Sequence, residues 1–522
     1  MTDPTTEPTT EPTTAPTTPP TATSTETFSS RSPATGEVLG EHPVHGPAEV
    51  QAAVVRARGA ARHWAAAGWT GRRAALLAWK RSIARRMDEF AEIVVAETGK
   101  PVHDARAEVL LALVHLDWAA RNARRVLGRR RVASGMLSVH QRSLLAYRPL
   151  GVVGVIGPWN YPVHTPMGSI GYALAAGNAV VFKPSELTPG VGLLLASSFG
   201  DAVPEHTDLL QAVTGPGATG AALAGAGGVG GAGVAKAAKV DKVAFTGSPG
   251  TARKVAAQCA KTLTPLLAEC GGKDAVLVGA DADLDAAAEA IVWGAMSNAG
   301  QTCAGVERVY VVESAHAALC ERIVQKAREL APDEAYGPLT LPGQLGVVER
   351  HMKEALAAGA RAPLGGPESL RPPYVHPVVL VDVPEDSPAM REETFGPVVV
   401  VNAVRDLDEA VERTNASAYS LGAAVFTGSR RAGLAVAERL ETGTVSVDSV
   451  LGFAAVPALP FGGAGESGYG RIHGAEGLRA FAAPRSITVK RFSPYADLTS
   501  FGTPREKAER AVELGRRWHA RR

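Results

Sequence analysis

The sequence predicts an α/β fold, with helices covering mostly parallel sheets in two consecutive units. Three observations predict it. From Gly151 onward, short apolar runs alternate with helix-length segments, the pattern of strand–helix–strand repeats. The runs that end at Gly157, Lys183 and Thr246 each lead into a turn rich in Pro, Gly or Ser. A chain of 522 residues also exceeds what one compact core normally holds, so more than one folding unit is expected.

The elements follow in order. Residues 1–27 repeat Glu-Pro-Thr-Thr units and hold almost nothing that can be buried, so a disordered tail is expected, with order starting near Phe28. Helical periodicity covers Ala48–Ala67 and Arg72–Glu97, the second closed by Thr98-Gly99-Lys100-Pro101. Leu137–Tyr147 has a strand-like pattern. Strands are expected over Gly151–Ile156 and Ala179–Phe182, and one ends at Thr246. In open α/β sheets ligands bind beyond the carboxyl ends of strands, so the three following turns are the place for a ligand. A second α/β block runs from Asp274 to about Phe461. Its strands are expected near Val306–Val312, Pro377–Val383, Pro397–Val404, Leu421–Thr427 and Thr444–Asp448. Ser486–Phe492 is a late strand that pairs far back in the chain. Ala221–Lys239 is almost entirely Gly, Ala and Val and is expected to be a flexible surface insertion without a helix start nearby. Pro504–Arg522 is expected to be a basic helix whose weak apolar stripe (Ala508, Ala511, Val512, Trp518) docks on its own subunit.

Composition excludes several classes. Lys plus Arg (54) nearly balance Asp plus Glu (52), so no overall field favours nucleic acid or an anionic membrane. The interrupted hydrophobic region around Pro158, Asn160, Pro162 and His164 leaves no run long enough to span a bilayer. The first residues lack the basic start and apolar stretch of a secretory peptide, so a cytoplasmic location is expected. Four cysteines, at 259, 270, 303 and 320, form neither a disulfide framework nor a paired metal knuckle, and no metal is expected.

Chemistry concentrates in a few runs. Cys303 follows Asn298-Ala299-Gly300-Gln301-Thr302, and small neighbours leave room beside its sulfur; an isolated cysteine would more often be a small buried hydrophobe. Glu269 precedes Gly271-Gly272, where a backbone can approach a ligand closely, although a lone glutamate is as often an ion-pair member. Asn160 lies in the stiff turn Gly157-Pro158-Trp159-Asn160-Tyr161-Pro162, which can aim an amide at an oxyanion or merely cap its own backbone. Lys183-Pro184-Ser185-Glu186 offers an ammonium and a carboxylate to a ribose diol, or a simple surface ion pair. Phe245-Thr246-Gly247-Ser248 ends a strand before a helix and suits a pyrophosphate. Gly215-Pro216-Gly217-Ala218-Thr219-Gly220 matches a dinucleotide fingerprint only literally, because the acidic partner is missing at the right place.

Together with Glu392-Glu393-Thr394-Phe395-Gly396-Pro397 and Pro460-Phe461-Gly462-Gly463, these runs resemble the aldehyde dehydrogenase superfamily from about Phe28 to Phe492. The resemblance implies a doubly wound Rossmann-like cofactor domain (28–134 and 150–272) and a second α/β catalytic domain (273–462). It also implies a small β oligomerisation arm (135–149 and 484–495), followed by a basic helical tail (496–522). It implies NAD(P)-dependent oxidation of an aldehyde, with Cys303 as nucleophile, Glu269 as the base that activates water, and Asn160 with the Cys303 N–H as oxyanion hole. Ile156, Pro158, Trp159, Lys183, Ser185, Glu186, Gly217, Phe245, Gly247, Ser248, Gly271, Glu393 and Phe395 would hold the dinucleotide. Tyr161, His164, Thr302 and Ala304 would line the substrate tunnel, joined by Met167 and Gly168, the glycine making it roomy.

Glu186 would repel a 2′-phosphate, so NAD is the expected cofactor, with NADP possible. No arginine in these runs is placed to hold a substrate carboxylate. A homodimer or homotetramer is expected, because a two-stranded arm is not stable alone. Two alternatives stay open: a relative that transfers the acyl group to coenzyme A, and a catalytically silent homologue. Cys270 stands where the family has Leu, Ala252 where it has Gly, and 221–239 has no counterpart.

Overall fold

The computed structural model describes residues 26–226 and 238–521, so most of the N-terminal tail and the middle of the Gly/Ala-rich segment lie outside the described residues. Two apolar cores are built around two sheets. The first sheet has six strands in the spatial order Gly468–Tyr469, Leu266–Glu269, Lys242–Thr246, Val152–Ile156, Ala179–Lys183, Leu210–Ala212. All pair parallel except the first, which is antiparallel to Leu266–Glu269. Val152-Val153-Gly154-Val155-Ile156 is buried throughout, as a strand covered on both faces must be. Strand order reverses between Val152–Ile156 and Lys242–Thr246, and the cleft at that switch point is where a doubly wound sheet takes its ligand.

The second sheet has seven strands, ordered Arg361–Leu364, Val378–Val381, Val398–Val404, Val306–Val312, Asp274–Val278, Gly422–Phe426, Thr444–Val447. Only the first is antiparallel to its neighbour. A third sheet joins Ala482–Lys490, Gln141–Pro149 and Arg130–Val132, all antiparallel, with Ala482 opposite Pro149 and Lys490 opposite Gln141. The doubly wound α/β architecture and the late strand that pairs far back are therefore both present.

Several expectations need correction. Arg72–Glu97 is two helices, Gly68–Arg85 and Met87–Thr98, parted at Arg86, whose guanidinium bonds Glu89 and Asp201 instead of supporting one axis. The long helix Val102–Leu127 was not anticipated, although its buried face (Ala105, Val109, Ala112, Leu116, Ala119, Ala123) recurs at helical spacing. The expected strand Leu137–Tyr147 begins only at Gln141; Met136–Ser138 is a single 3-10 turn. Within the expected insertion, Ala221–Ala224 end the helix Gly217–Ala224, so a helix does start in the Gly215–Gly220 run.

Residues beyond 462 also do more than bridge to the arm. Gly468–Tyr469 edges the first sheet, and Ile472, Leu478 and Phe481 are buried in the first core. The tail forms the helix Arg505–Ala520, whose one buried residue, Gly515, approaches Met136 and Leu137 of its own chain, but Val512 and Trp518 of the expected docking stripe are exposed. Among the described residues no helix is long and apolar enough to cross a membrane.

Candidate active site

The turns after Val152–Ile156, Ala179–Lys183 and Lys242–Thr246 converge on one cleft with a volume of about 1030 Å³. All thirteen residues expected to hold a dinucleotide line it. Lys183 is buried at its strand end and its Nζ donates to Glu186 at 2.8 Å. Burial alone would raise the Glu186 carboxyl, but the Lys183 ammonium outweighs it and holds the group below its ordinary value. Ser248 caps the helix Pro249–Ala260, its Oγ accepting from the Thr251 N–H at 3.4 Å. The positive end of that helix therefore faces the cleft beside Gly247. Gly271 is required by proximity, since a Cβ there would stand 2.0 Å from the Glu393 carboxylate. Glu393 accepts from the Gly272 N–H at 3.2 Å, and burial pushes its carboxyl up to about 8. Trp159 and Phe395 meet edge to face, ring centres 5.5 Å apart.

Cys303 lines this cleft and also a second cavity of about 270 Å³ on its other side, so the sulfur stands where the two meet. Burial, then the nearby carboxylates beginning with Glu393, push its thiol up to about 12. The turn before it is strained: Asn298, Ala299 and Gly300 all have left-handed backbones, with φ of 53°, 56° and 71°. A Cβ on Gly300 would lie 2.1 Å from the Gly396 carbonyl, which ties this turn to the Glu393–Phe395 loop. Asn160 is buried, lines the cleft, and donates to the Gln301 carbonyl at 2.9 Å. That bond holds the asparagine amide against the cysteine loop.

Glu269 lines the second cavity with both carboxylate oxygens buried and without a hydrogen-bond partner. Burial raises it well above the ordinary glutamate value, with Arg471 only partly opposing. A structural glutamate is satisfied by neighbours; this one is not. Tyr161, His164, Thr302 and Ala304 line the same cavity, and the Tyr161 hydroxyl lies 2.9 Å from Thr302 Oγ1. Met167 and Gly168 do not line it. The space that Gly168 leaves is filled by His473, whose Nε2 would lie 2.6 Å from a Cβ there, so the expectation of a roomy tunnel fails.

Two buried ion pairs that the sequence reading missed brace the site. Lys100 pairs with Glu108 at 2.7 Å and donates to the Asn160 carbonyl at 2.8 Å, while Glu108 accepts from the Val163 and His164 N–H groups. Glu108 could have been found, since it falls on the buried stripe Ala105–Val109–Ala112 of its helix. Lys273 pairs with Glu307, which accepts from the Thr394 and Phe395 N–H groups and so fixes the loop that presents Glu393. Glu307 likewise interrupts a buried strand. Such pairs secure geometry more than stability.

This fold, with a dinucleotide-sized cleft meeting a smaller cavity at a cysteine, defines an oxidoreductase of the nicotinamide-dependent class. The sequence model of the aldehyde dehydrogenase family matches residues 21–487. The chain belongs to that family and is an NAD(P)-dependent enzyme acting on the aldehyde group. It is 36% identical over 471 residues to the 4,4'-diapolycopene aldehyde oxidase of Methylomonas sp, covering 88% of this chain and 85% of that protein. It is 35% identical over 469 residues to a Mycolicibacterium smegmatis protein provisionally named succinate-semialdehyde dehydrogenase (NADP+), covering 88% and 87%. Among solved structures it resembles an NAD-dependent aldehyde dehydrogenase from Sinorhizobium meliloti, with a TM-score of 0.84, 31% identity, and 92% and 95% of the two chains covered.

Proposed function

We propose that the protein oxidises apolar aldehydes to carboxylic acids through a thioester on Cys303 that water hydrolyses. The unpartnered, buried Glu269 beside the cavity that Cys303 closes carries this reading, because a hydrolytic step needs a base held away from solvent. Cys303 Sγ adds to the carbonyl carbon and gives a thiohemiacetal. The Asn160 amide and the Cys303 N–H hold the developing oxyanion. The cleft fits NAD(P)+: Lys183 and Glu186 are paired where a ribose diol would lie, and a capped helix start stands beside Gly247. A bound NAD(P)+ supplies the hydride acceptor. Glu269 then takes a proton from water as the oxygen attacks the thioester carbon, and the acid leaves with Cys303 restored as a thiol.

The second cavity supports an apolar substrate. Leu111, Trp293, Leu451, Phe461 and Ile472 line it, no arginine does, and its lysine, Lys100, is already paired with Glu108. NAD is the proposed cofactor, because the Glu186 carboxylate repels a 2′-phosphate. A spectrophotometric assay of reduced nicotinamide checks both points. NAD and an aliphatic or aromatic aldehyde are expected to give the higher kcat/KM, without stimulation by coenzyme A. A clear preference for NADP refutes the cofactor reading, a preference for ω-carboxylated aldehydes the substrate reading, and dependence on coenzyme A the hydrolytic one.

The three-stranded sheet of Ala482–Lys490, Gln141–Pro149 and Arg130–Val132 carries few buried side chains, and it is proposed to add to a second copy of the chain. Light scattering at micromolar concentration is expected to give a dimer or tetramer; a strictly monomeric species contradicts the assignment.

A further inference from the structure

Three histidines far apart in the chain meet behind the aldehyde cavity. His115 comes from the buried face of Val102–Leu127, His164 from the start of His164–Ala176, and His473 from the residue capping Gly474–Ala480. One ring nitrogen from each lies within 4.8 Å of the other two. The His115 and His473 ring centres are 3.8 Å apart. His164 and His473 line the cavity, so the cluster forms part of its wall.

We propose that this cluster is a binding site for one divalent transition-metal ion of the zinc type, with three imidazole ligands and a fourth position open to the cavity. His115, His164 and His473 each bury a ring nitrogen that has no hydrogen-bond partner: Nδ1, Nδ1 and Nε2 respectively. Orphaned polar atoms of this kind are costly and rare, and three on adjoining rings call for a common ligand. His115 and His473 are 0% and 4% exposed, so solvent does not supply it. His115 shows the arrangement of a metal-bound imidazole: its Nε2 contacts the Ala454 carbonyl at 2.9 Å, which leaves a bare lone pair on Nδ1.

The electrostatics agree. Burial lowers all three histidines, and repulsion from their neighbours in the cluster lowers His164, to about 3, and His473 further, so each is a neutral ligand at physiological pH. His473 also holds a backbone conformation (φ 60°, ψ 170°) that side chains rarely tolerate, and it keeps the imidazole against Gly168. Tetrahedral zinc with histidine bonds of about 2.0–2.1 Å sets its nitrogens about 3.3 Å apart. The ligand nitrogens then close by less than about 1 Å each, while the His115 and His473 rings, whose centres now stand 3.8 Å apart, swing away from one another by small side-chain rotations. The open position would place water, or the far oxygen of a substrate, against an otherwise apolar wall.

The test is titration of full-length, tag-free Cys303→Ser protein with Co2+, then Zn2+, the substitution keeping metal off the nucleophilic thiol. One Co2+ per chain with intense visible bands of a low-coordinate histidine site is expected, and Zn2+ should displace it. His115→Phe should weaken binding by about tenfold or more. His164→Ala, at the cavity surface, should do the same if the first variant fails to fold. Absent or pale bands, or affinity unchanged in a folded histidine variant, overturns the proposal.

Discussion

Replacing Cys303 by serine is expected to lower kcat for aldehyde oxidation by about 10⁴-fold or more while the fold and dinucleotide binding survive. The reason is local. The sulfur occupies the junction of the cleft and the cavity, and its surroundings push even a thiol up to about 12. A serine hydroxyl ionises far less readily, and among the described residues no lysine or histidine hydrogen-bonds Cys303 to take its proton. In the proposed mechanism the positive charge of a bound nicotinamide ring would favour the thiolate. Steady-state kinetics, with dinucleotide affinity measured separately by fluorescence, decide the matter. Full turnover in the folded serine variant would end the covalent account.

The second large effect is expected at Glu269. Glutamine has the same size and fits the same buried site, but it cannot accept a proton. Steady turnover should fall by roughly 10²- to 10⁴-fold. Acylation does not need the carboxylate, so a rapid burst of about one reduced nicotinamide per active site should remain. The pH profile gives an independent reading. Because burial holds this carboxyl well above its ordinary value, it is protonated and inactive at low pH and gains activity as pH rises through that raised value. The hydrolytic rate of the native enzyme should therefore still be climbing at pH values where an ordinary glutamate would already be flat. The Gln variant should lose that slope. Stopped-flow traces that show no burst, or an unchanged steady rate, contradict the role.

Much of the site was legible because its residues come in contiguous runs fixed to strand ends. A buried strand fixes where its last residue sits, so Lys183 with Glu186, and Thr246 with Ser248, project to one rim as expected. What was not legible depends on convergence. The histidine trio joins positions 115, 164 and 473, and no spacing rule relates them. The reading of Gly168 failed for a related reason: the volume left by a missing side chain belongs to whichever neighbour takes it, here His473. The Val102–Leu127 helix was missed for no such reason, since its buried residues recur at helical spacing.

The edge strand Gly468–Tyr469 has a consequence for biosynthesis. It lies beside Leu266–Glu269 but leaves the ribosome roughly two hundred residues later, after the entire second core. Until then the early half of the protein holds the Leu266–Glu269 strand, which ends at the proposed base, with one border unpaired. Removing that stretch is therefore expected to leave the border beside Glu269 open even though Cys303, Glu269 and Asn160 all remain in the chain.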